Sequence, residues 1–167
     1  MLARPLMHVS SNLAQRMIQI RVRTLKPSFK RTMSSTITTA SALTPVFTSN
    51  APGAVGPYSQ AIKLKDLVFV SGNIPLDPAT GEIVAGGVEE QTKQVLKNLR
   101  AVVEASGSDL GKVVKTTVFL KSMGDFAVVN KIYEQAFGDH KPARSAVEVS
   151  RLPKGALVEI ECIASLG

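Results

Sequence analysis

Short runs of apolar and alternating residues indicate where the strands of this chain lie. Residues 67–71 and 113–121 are rich in β-branched and aromatic side chains, which favour strands. Residues 143–149 and 157–165 alternate between apolar and polar side chains, as half-buried strands do. Turn-forming residues occupy 77–81, after the first run. The pattern predicts strands early, in the middle and at the end of the chain.

Two longer segments have the spacing of amphipathic helices. Within 88–105 apolar side chains recur every three or four residues, and Gly107 is a suitable stop. Within 125–137 the apolar side chains again share one side, with Asp125 as a candidate N-cap and Gly138 as a stop. The order strands, helix, strand, helix, strands predicts an α+β sandwich with both helices on one face of the sheet.

The second face of this sheet also carries apolar side chains. Phe69 stands between two valines, and Phe119 stands between a valine and a leucine, so apolar groups point to both sides of each strand. One layer of two helices covers only one side. We therefore expect the other side to be buried against another subunit.

The positive charge of the chain is concentrated in its first 44 residues. The formal net charge is +7, from 20 basic and 13 acidic residues. Residues 1–44 hold seven of the basic residues and no acid, so 45–167 keep 13 of each sign. An acid-free segment rich in Arg, Ser and Thr is typical of a mitochondrial transit peptide, and we expect 45–167 to be the folded domain, in the mitochondrial matrix.

Alternative interpretations of this leader are limited. A basic tail without targeting value has a similar composition. Arginines interrupt every candidate for the apolar core of a secretory signal, and no run approaches the ~18 residues of a membrane span, so membrane insertion is not expected. Met33 precedes a chain free of the basic leader, and initiation there would give a minor cytosolic form.

Few residues of the chain suit metal or thiol chemistry. Cys162 is the single cysteine, which excludes an intrachain disulfide, and its alternating strand predicts a small core residue. His8 and His140 are the only histidines, so we expect no metal site. A charge-neutral domain with two Tyr and no Trp also argues against nucleic acid as a partner.

The last two strands carry the charged residues of greatest interest. Glu159 and Glu161 share one face of the final strand, and Arg144 lies on one face of the preceding strand together with Glu148. If the two strands pair, an arginine and several carboxylates meet on the face without helices. Alternation alone favours a simpler interpretation, in which cross-strand ion pairs decorate a solvated surface.

Five segments in chain order resemble signatures of the reactive-intermediate deaminase family, RidA, also called YjgF. The resemblance extends from about residue 45 to the C-terminus. The five segments are 50–60, 70–75, 113–120, 142–149 and 152–161.

This resemblance implies a chorismate-mutase-like sandwich with one mixed sheet, assembled as a homotrimer with three clefts between subunits. It implies hydrolysis of reactive 2-enamines and 2-imines, such as 2-aminoacrylate, to 2-keto acids and ammonia, which protects metabolic enzymes from damage. The expected activity is that of a 2-iminobutanoate/2-iminopropanoate deaminase, without a cofactor.

The same resemblance implies roles for individual residues. By motif position, Arg144 binds the substrate carboxylate and Glu159 positions the attacking water. The pocket is lined by Tyr58, Ser59, Gly72, Ser145 and Ala146. Many members have Cys at the position of Ala146, so thiol chemistry at 146 is excluded here. Many members also have Gln at the position of Asn73.

Two other functions are compatible with such a chain. One is a non-catalytic trimer that binds a metabolite or acts as a chaperone, because a carboxylate-binding arginine serves sensing equally well. The other is an RNA-cleaving translation inhibitor, an activity attributed to some members of the family. The neutral domain and its two tyrosines argue against the second.

Overall fold

The computed structural model describes residues 43–167, which form one sheet and two α-helices. Almost all of the leader, including Met33, lies outside the described residues. The strands are β1 Thr44–Val46, β2 Ala61–Leu64, β3 Leu67–Asn73, β4 Val113–Leu120, β5 Ala143–Glu148 and β6 Val158–Ser165, and the helices are α1 Val88–Ala105 and α2 Phe126–Phe137.

The six strands lie in the order β1-β2-β3-β6-β4-β5. β4 and β5 run parallel, whereas every other neighbouring pair is antiparallel, so the sheet is mixed. The parallel connection is made through α2, because parallel neighbours require a long crossover. The predicted α+β class with one mixed sheet is confirmed.

Both helices pack on the same face of the sheet. α1 contacts β3, β6 and α2, and its inward stripe includes Val95, Leu99 and Val103, each with no exposed surface. On α2, the Tyr133 hydroxyl lies 2.8 Å from the Thr116 hydroxyl of β4, inside the core. The apolar spacing read from the sequence therefore identifies the face of each helix that is removed from water.

The helix ends differ from expectation at one point. Glycines with positive φ follow both helices, Gly107 at +83° and Gly138 at +59°, as predicted. Asp125, by contrast, is helical in φ and ψ, and its side chain accepts no capping hydrogen bond. Instead the Ser122 side chain accepts from the Gly124 N–H and begins a 3₁₀ turn that leads into α2.

The last two strands do not pair with each other, so the condition for an arginine and carboxylates to meet on the face without helices is not fulfilled. β4 lies between β5 and β6, with Thr116 opposite Arg144 on one side and opposite Cys162 on the other. Paired residues point to the same face, so Arg144 lies on the helix-covered side. Glu159 is opposite Phe119, on the other side. The connection through α2 places β5 beyond β4, at the edge of the sheet. The alternation of apolar and polar residues in the sequence does not reveal this position.

The face without helices carries a group of apolar side chains that are incompletely covered, in agreement with the sequence. Leu67, Phe69 and Val147 are 38%, 41% and 42% exposed on this face. Phe119 and Ile163 lie between them and are half-buried. We call this surface, with Leu67, Phe69, Phe119, Val147 and Ile163, the open face.

Candidate functional site

Glu159 lies near the start of β6, and its carboxylate rests over Gly72 of the neighbouring strand β3. A Cβ atom added at residue 72 would lie 2.9 Å from the Glu159 carboxyl carbon and would overlap one carboxylate oxygen. Glycine is therefore required here to leave room for the acid. The pairing between β3 and β6 is irregular between Val70 and Asn73, so a local bulge carries this glycine.

Partial burial makes the Glu159 carboxylate more basic. Loss of hydration raises the pKa of Glu159 above its usual value, and the negative charge of Glu161 adds to the increase. A carboxylate with a raised pKa is a stronger base, and it takes up a proton more readily than an ordinary glutamate does at the same pH. Glu159 therefore has the properties of a group that moves protons.

Tyr58, Ser59 and Gly72 lie together at this end of the sheet. Tyr58 and Gly72 line the same small cavity of about 30 Å³, and Tyr58 is 47% exposed. The Ser59 carbonyl accepts a hydrogen bond of 2.7 Å from the Ser71 hydroxyl. Asn73 lines the cavity too, with its amide donating to the Ser71 carbonyl. We call Tyr58, Ser59, Gly72 and Glu159 the carboxylate half of the site.

A buried glutamine fixes the loop that carries Tyr58. The Gln60 side-chain oxygen accepts from the Thr48 N–H at 2.7 Å. Its amide nitrogen donates to the carbonyls of Thr48 and Pro52 at 3.0 and 2.8 Å. The loop before β2 is therefore attached to the sheet by side-chain bonds at its beginning and its middle.

Arg144 lies on the edge strand β5 and is held by α2. Its guanidinium carbon is 4.7 Å from the centre of the Tyr133 ring and 5.6 Å from that of Phe126. One terminal nitrogen donates to the Asn130 side-chain oxygen at 2.7 Å. These contacts fix the plane of the guanidinium while the side chain remains exposed. Burial raises the pKa of Tyr133, so its hydroxyl stays neutral beside the cation.

Ser145 and Ala146 follow Arg144 along the edge strand. The Val149 N–H donates to the Leu120 carbonyl of β4 at 2.9 Å, and backbone direction alternates along a strand. The Ala146 N–H consequently points away from β4, where no other described strand lies. The Ser145 hydroxyl faces the open face and accepts from the Lys115 amine at 3.3 Å. We call Arg144, Ser145 and Ala146 the arginine half.

Sequence reasoning missed the residues of α2 that hold Arg144. Phe126, Asn130 and Tyr133 line one side of α2 at spacings of four and three. Phe126 and Tyr133 were predicted as helix residues that face the core. Asn130 gave a signal, because it is a polar residue within an otherwise apolar stripe. A cleft of about 340 Å³ opens beside this group, lined by Asn130, Tyr133 and Arg144 among others.

The two halves do not converge within one chain. Arg144 and Glu159 lie on opposite faces of the sheet, with β4 between their strands. Strand spacing separates them by about 10 Å across the sheet, and three residues of register add about 10 Å along it. One copy of the chain therefore cannot hold a small molecule between this arginine and this carboxylate.

The remaining reactive side chains offer little further chemistry. Cys162 is buried in the core as predicted, and burial raises the pKa of its thiol to about 12, so the thiol stays protonated. Over residues 43–167 there is no cluster of His, Cys, Asp and Glu that could hold a metal ion. No helix in the same range is long and apolar enough to cross a membrane.

Comparison with known proteins places this arrangement in a family. A model described as Endoribonuclease L-PSP matches residues 48–166. The human 2-iminobutanoate/2-iminopropanoate deaminase is 48% identical over 122 residues, 73% of this chain and 89% of the relative. The chloroplastic Reactive Intermediate Deaminase A of Arabidopsis thaliana is 53% identical over 121 residues, 72% of this chain and 65% of the relative.

A solved structure shares both the fold and much of the sequence. The crystal structure of Escherichia coli TdcF with bound serine superposes with a TM-score of 0.70 at 46% identity, covering 73% of this chain and 98% of that one. The chain therefore belongs to the endoribonuclease L-PSP family, which is the RidA, or YjgF, family of reactive-intermediate deaminases.

Proposed function

We propose that this protein is a 2-iminobutanoate/2-iminopropanoate deaminase, which hydrolyses reactive 2-enamines and 2-imines to 2-keto acids and ammonia. The observation that carries this proposal is the basic Glu159 carboxylate held over Gly72, together with a guanidinium held flat at the sheet edge. The name of the human relative and the serine bound to TdcF support a small substrate with a carboxylate and an α-nitrogen.

The site is completed between two copies of the chain in a homotrimer. Arg144 and Glu159 cannot meet within one copy, so the arginine half of one subunit faces the carboxylate half of the next. The apolar open face provides the surface through which the copies associate, since exposed apolar area of this kind is removed from water by assembly. Three such contacts close a ring with three equivalent sites.

Arg144 binds and orients the substrate. Its planar fork forms two parallel hydrogen bonds with a carboxylate, each worth roughly 1.5–3 kcal/mol. Tyr133, Phe126 and Asn130 hold this fork in one plane before the substrate arrives. The outward N–H of Ala146 is a further donor for a carboxylate oxygen. Because the imine carbon is conjugated to the carboxylate, fixing one plane also fixes the direction of attack.

Glu159 performs the proton transfers of hydrolysis. The enamine first gains a proton from solvent at its terminal carbon and becomes the iminium ion, which is the protonated imine. Glu159 then accepts a proton from water as the water oxygen bonds to the imine carbon, giving a carbinolamine. The protonated carboxyl returns its proton to nitrogen, the C–N bond breaks and ammonia leaves. The Glu159 carboxylate accepts the proton of the hydroxyl group as the ketone forms and then releases it to solvent. One carboxylate serves as base and then as acid, and its raised pKa suits both steps.

The non-catalytic trimer and the RNA-cleaving enzyme make different demands on the same residues. A metabolite-binding protein needs Arg144 but not Glu159. RNA cleavage needs a basic surface and a free general base, whereas 45–167 is charge-neutral and the His140 ring nitrogen is hydrogen-bonded to the Val113 carbonyl at 2.6 Å. Deamination uses both halves of the site and is therefore the function that the geometry favours.

Substitution of Arg144 and Glu159 should separate binding from chemistry. Arg144→Lys keeps the charge but loses the fork, so KM should rise and kcat/KM should fall roughly ten- to a thousandfold. Glu159→Gln keeps shape but cannot accept a proton, so kcat should fall about a hundredfold or more with little change in KM. Ammonia release from freshly generated 2-aminoacrylate measures both.

Matched controls for this experiment are Arg151→Lys and Glu104→Gln, which alter an exposed arginine and an exposed carboxylate of α1. Both should retain wild-type kinetics at neutral pH. Near-wild-type rates in folded Arg144→Lys and Glu159→Gln would contradict the mechanism. Loss of binding in Arg144→Lys with an unchanged rate in Glu159→Gln would favour the non-catalytic trimer.

The pH dependence of kcat should report the ionisation of Glu159. Only the ionised carboxylate accepts a proton, so kcat should rise with pH through the pKa of Glu159. Burial raises that pKa, so the rise should be centred above the ordinary value of about 4.3. The negative charge of the bound substrate carboxylate offsets the positive charge of Arg144, so the direction of the shift in the pKa of Glu159 is the same with substrate bound. Stopped-flow rates corrected for spontaneous hydrolysis measure the profile, and a midpoint at or below the ordinary value would contradict the assignment.

A charged residue on the open face should prevent assembly. Phe69→Lys puts an ammonium on the apolar surface that joins the copies, so light scattering should give the mass of one chain instead of three. Val128→Lys is the matched control, because Val128 is equally exposed, at 41%, but lies on α2. A wild-type domain of single-chain mass at micromolar concentration would contradict the trimer.

The leader should direct import into the mitochondrial matrix and then be removed. Its acid-free basic composition supports this, and the chloroplastic relative is also an organellar protein by name. Peptide mapping of protein from purified mitochondria should find an N-terminus between about residue 18 and residue 45. Intact Met1 in that compartment would overturn the proposal. A cytosolic pool unchanged after Met33 is mutated would exclude initiation there.

A further inference from the structure

The inner side of α1 carries three amide side chains among its apolar residues. Gln91, Gln94 and Asn98 follow one another at spacings of three and four, so they share one side of the helix. Gln91 is 6% exposed and Asn98 is fully buried. We call these three residues the amide ladder. Burying amides in a core is costly unless each finds hydrogen-bond partners, so their partners indicate what they are for.

One end of the amide ladder holds the chain just before Glu159. The Gln91 side-chain oxygen accepts a hydrogen bond of 2.9 Å from the Leu157 N–H. Leu157 is two residues before Glu159 and precedes β6 directly. The Leu157 carbonyl accepts from the Lys121 N–H at 2.9 Å, so this residue is fixed between α1 and the end of β4.

The other end of the amide ladder holds the chain just after Gly72. The Asn98 amide nitrogen donates to the carbonyls of Ile74 and Leu76 at 3.1 and 2.9 Å. The Gln94 amide nitrogen donates to Asn98 at 2.8 Å and to the Leu76 carbonyl at 3.3 Å. The Ile74 and Leu76 carbonyls belong to the segment that follows β3, two and four residues beyond Gly72.

The amide ladder therefore connects both segments that determine where the Glu159 carboxylate lies. Gly72 and Glu159 are on adjacent strands whose pairing is irregular. The backbone hydrogen bonds between β3 and β6 therefore constrain these two residues less than they constrain the rest of the two strands. A rigid helix bonded to both segments supplies the missing constraint. A displacement of about 1 Å at a reacting group is enough to cost roughly a hundredfold in rate.

We propose that the amide ladder holds the Glu159 carboxylate over Gly72, so that Gln91, Gln94 and Asn98 are positioning residues for the chemical step. The catalytic part of this proposal rests on the role of Glu159 under the proposed function. The amides touch no substrate; they act through the backbone on either side of the carboxylate. Apolar side chains of equal size would fill the same space without holding either segment.

Kinetics of Gln91→Met and Gln94→Met test the proposal in the full assembled protein. Methionine keeps the length of the side chain and removes the amide. Each variant should lower kcat about tenfold while KM changes less than about threefold, because Arg144 still binds the carboxylate. Asn98→Leu should have a larger effect if it folds. Thr92→Val is the matched control, since Thr92 is fully buried on α1 but its hydroxyl bonds only the Val88 carbonyl of the same helix.

A double-mutant comparison separates positioning from general loss of stability. In a Glu159→Gln background, Gln91→Met should lower kcat no further, because the group it positions is already inactive. An equal fall in both backgrounds would overturn the proposal, since the amide would then act on the fold as a whole. A wild-type kcat in folded Gln91→Met and Gln94→Met would overturn it as well.

Titration of the Glu159 carboxyl by carbon-13 NMR tests the amide ladder without any turnover. In Gln91→Met the carboxylate should turn toward water, and its pKa should fall toward the ordinary glutamate value, whereas Thr92→Val should titrate like the wild type. An unchanged titration in Gln91→Met would overturn the proposal. Absence of deamination by the wild type would defeat the proposed function instead, and the titration would still decide whether the ladder positions Glu159.

Discussion

Side chains of a β-strand alternate between the two faces of its sheet, and a ligand bound on one face is out of reach of the other. In this protein the rule separates Arg144 from Glu159, the two charged groups of the proposed reaction. Arg144 is in register with Thr116 and Cys162 on the helix-covered face, whereas Glu159 is in register with Phe119 on the open face. The site that we propose is therefore complete only when a second copy supplies the missing half.

The same separation gives each half a suitable environment. On the helix side, Tyr133, Phe126 and Asn130 hold the guanidinium in a fixed plane at an exposed edge, so the cation keeps access to water until a carboxylate arrives. On the open side, partial burial over Gly72 makes Glu159 basic. In the trimer that we propose, assembly buries the apolar open face and brings a cation to an anion across the interface, so that stability and catalysis would depend on the same contact.

Much of the architecture could be predicted from the sequence because it depends on local periodicity. The apolar spacing of α1 gave its exact bounds, and the alternation of β6 correctly assigned Cys162 to the core and Glu159 to the opposite face. Alternation reveals which residues of one strand share a face. It contains no information about strand order, and for this reason it could not decide whether β5 pairs with β6.

Parts of the site that depend on contacts between distant segments could not be predicted either. The support of Arg144 by Asn130 requires the crossover that places α2 beside β5. The close approach of Glu159 to Gly72 requires the irregular register between β3 and β6. The motif resemblance named most of the residues of both halves of the site but not the amides of α1, whose backbone partners lie 18 to 66 residues away in sequence.

The central claim is that each site takes its arginine from one subunit and its carboxylate from another, and mixing of two inactive variants tests it most directly. Arg144→Ala and Glu159→Gln chains, each inactive alone, are unfolded, mixed in equal amounts and refolded together. If the site is shared, random trimers contain intact sites in about a quarter of positions, and 2-aminoacrylate deamination should recover to about a quarter of the wild-type rate. No recovery in mixed trimers, verified by mass, would mean that each chain must supply both residues itself and would contradict the account.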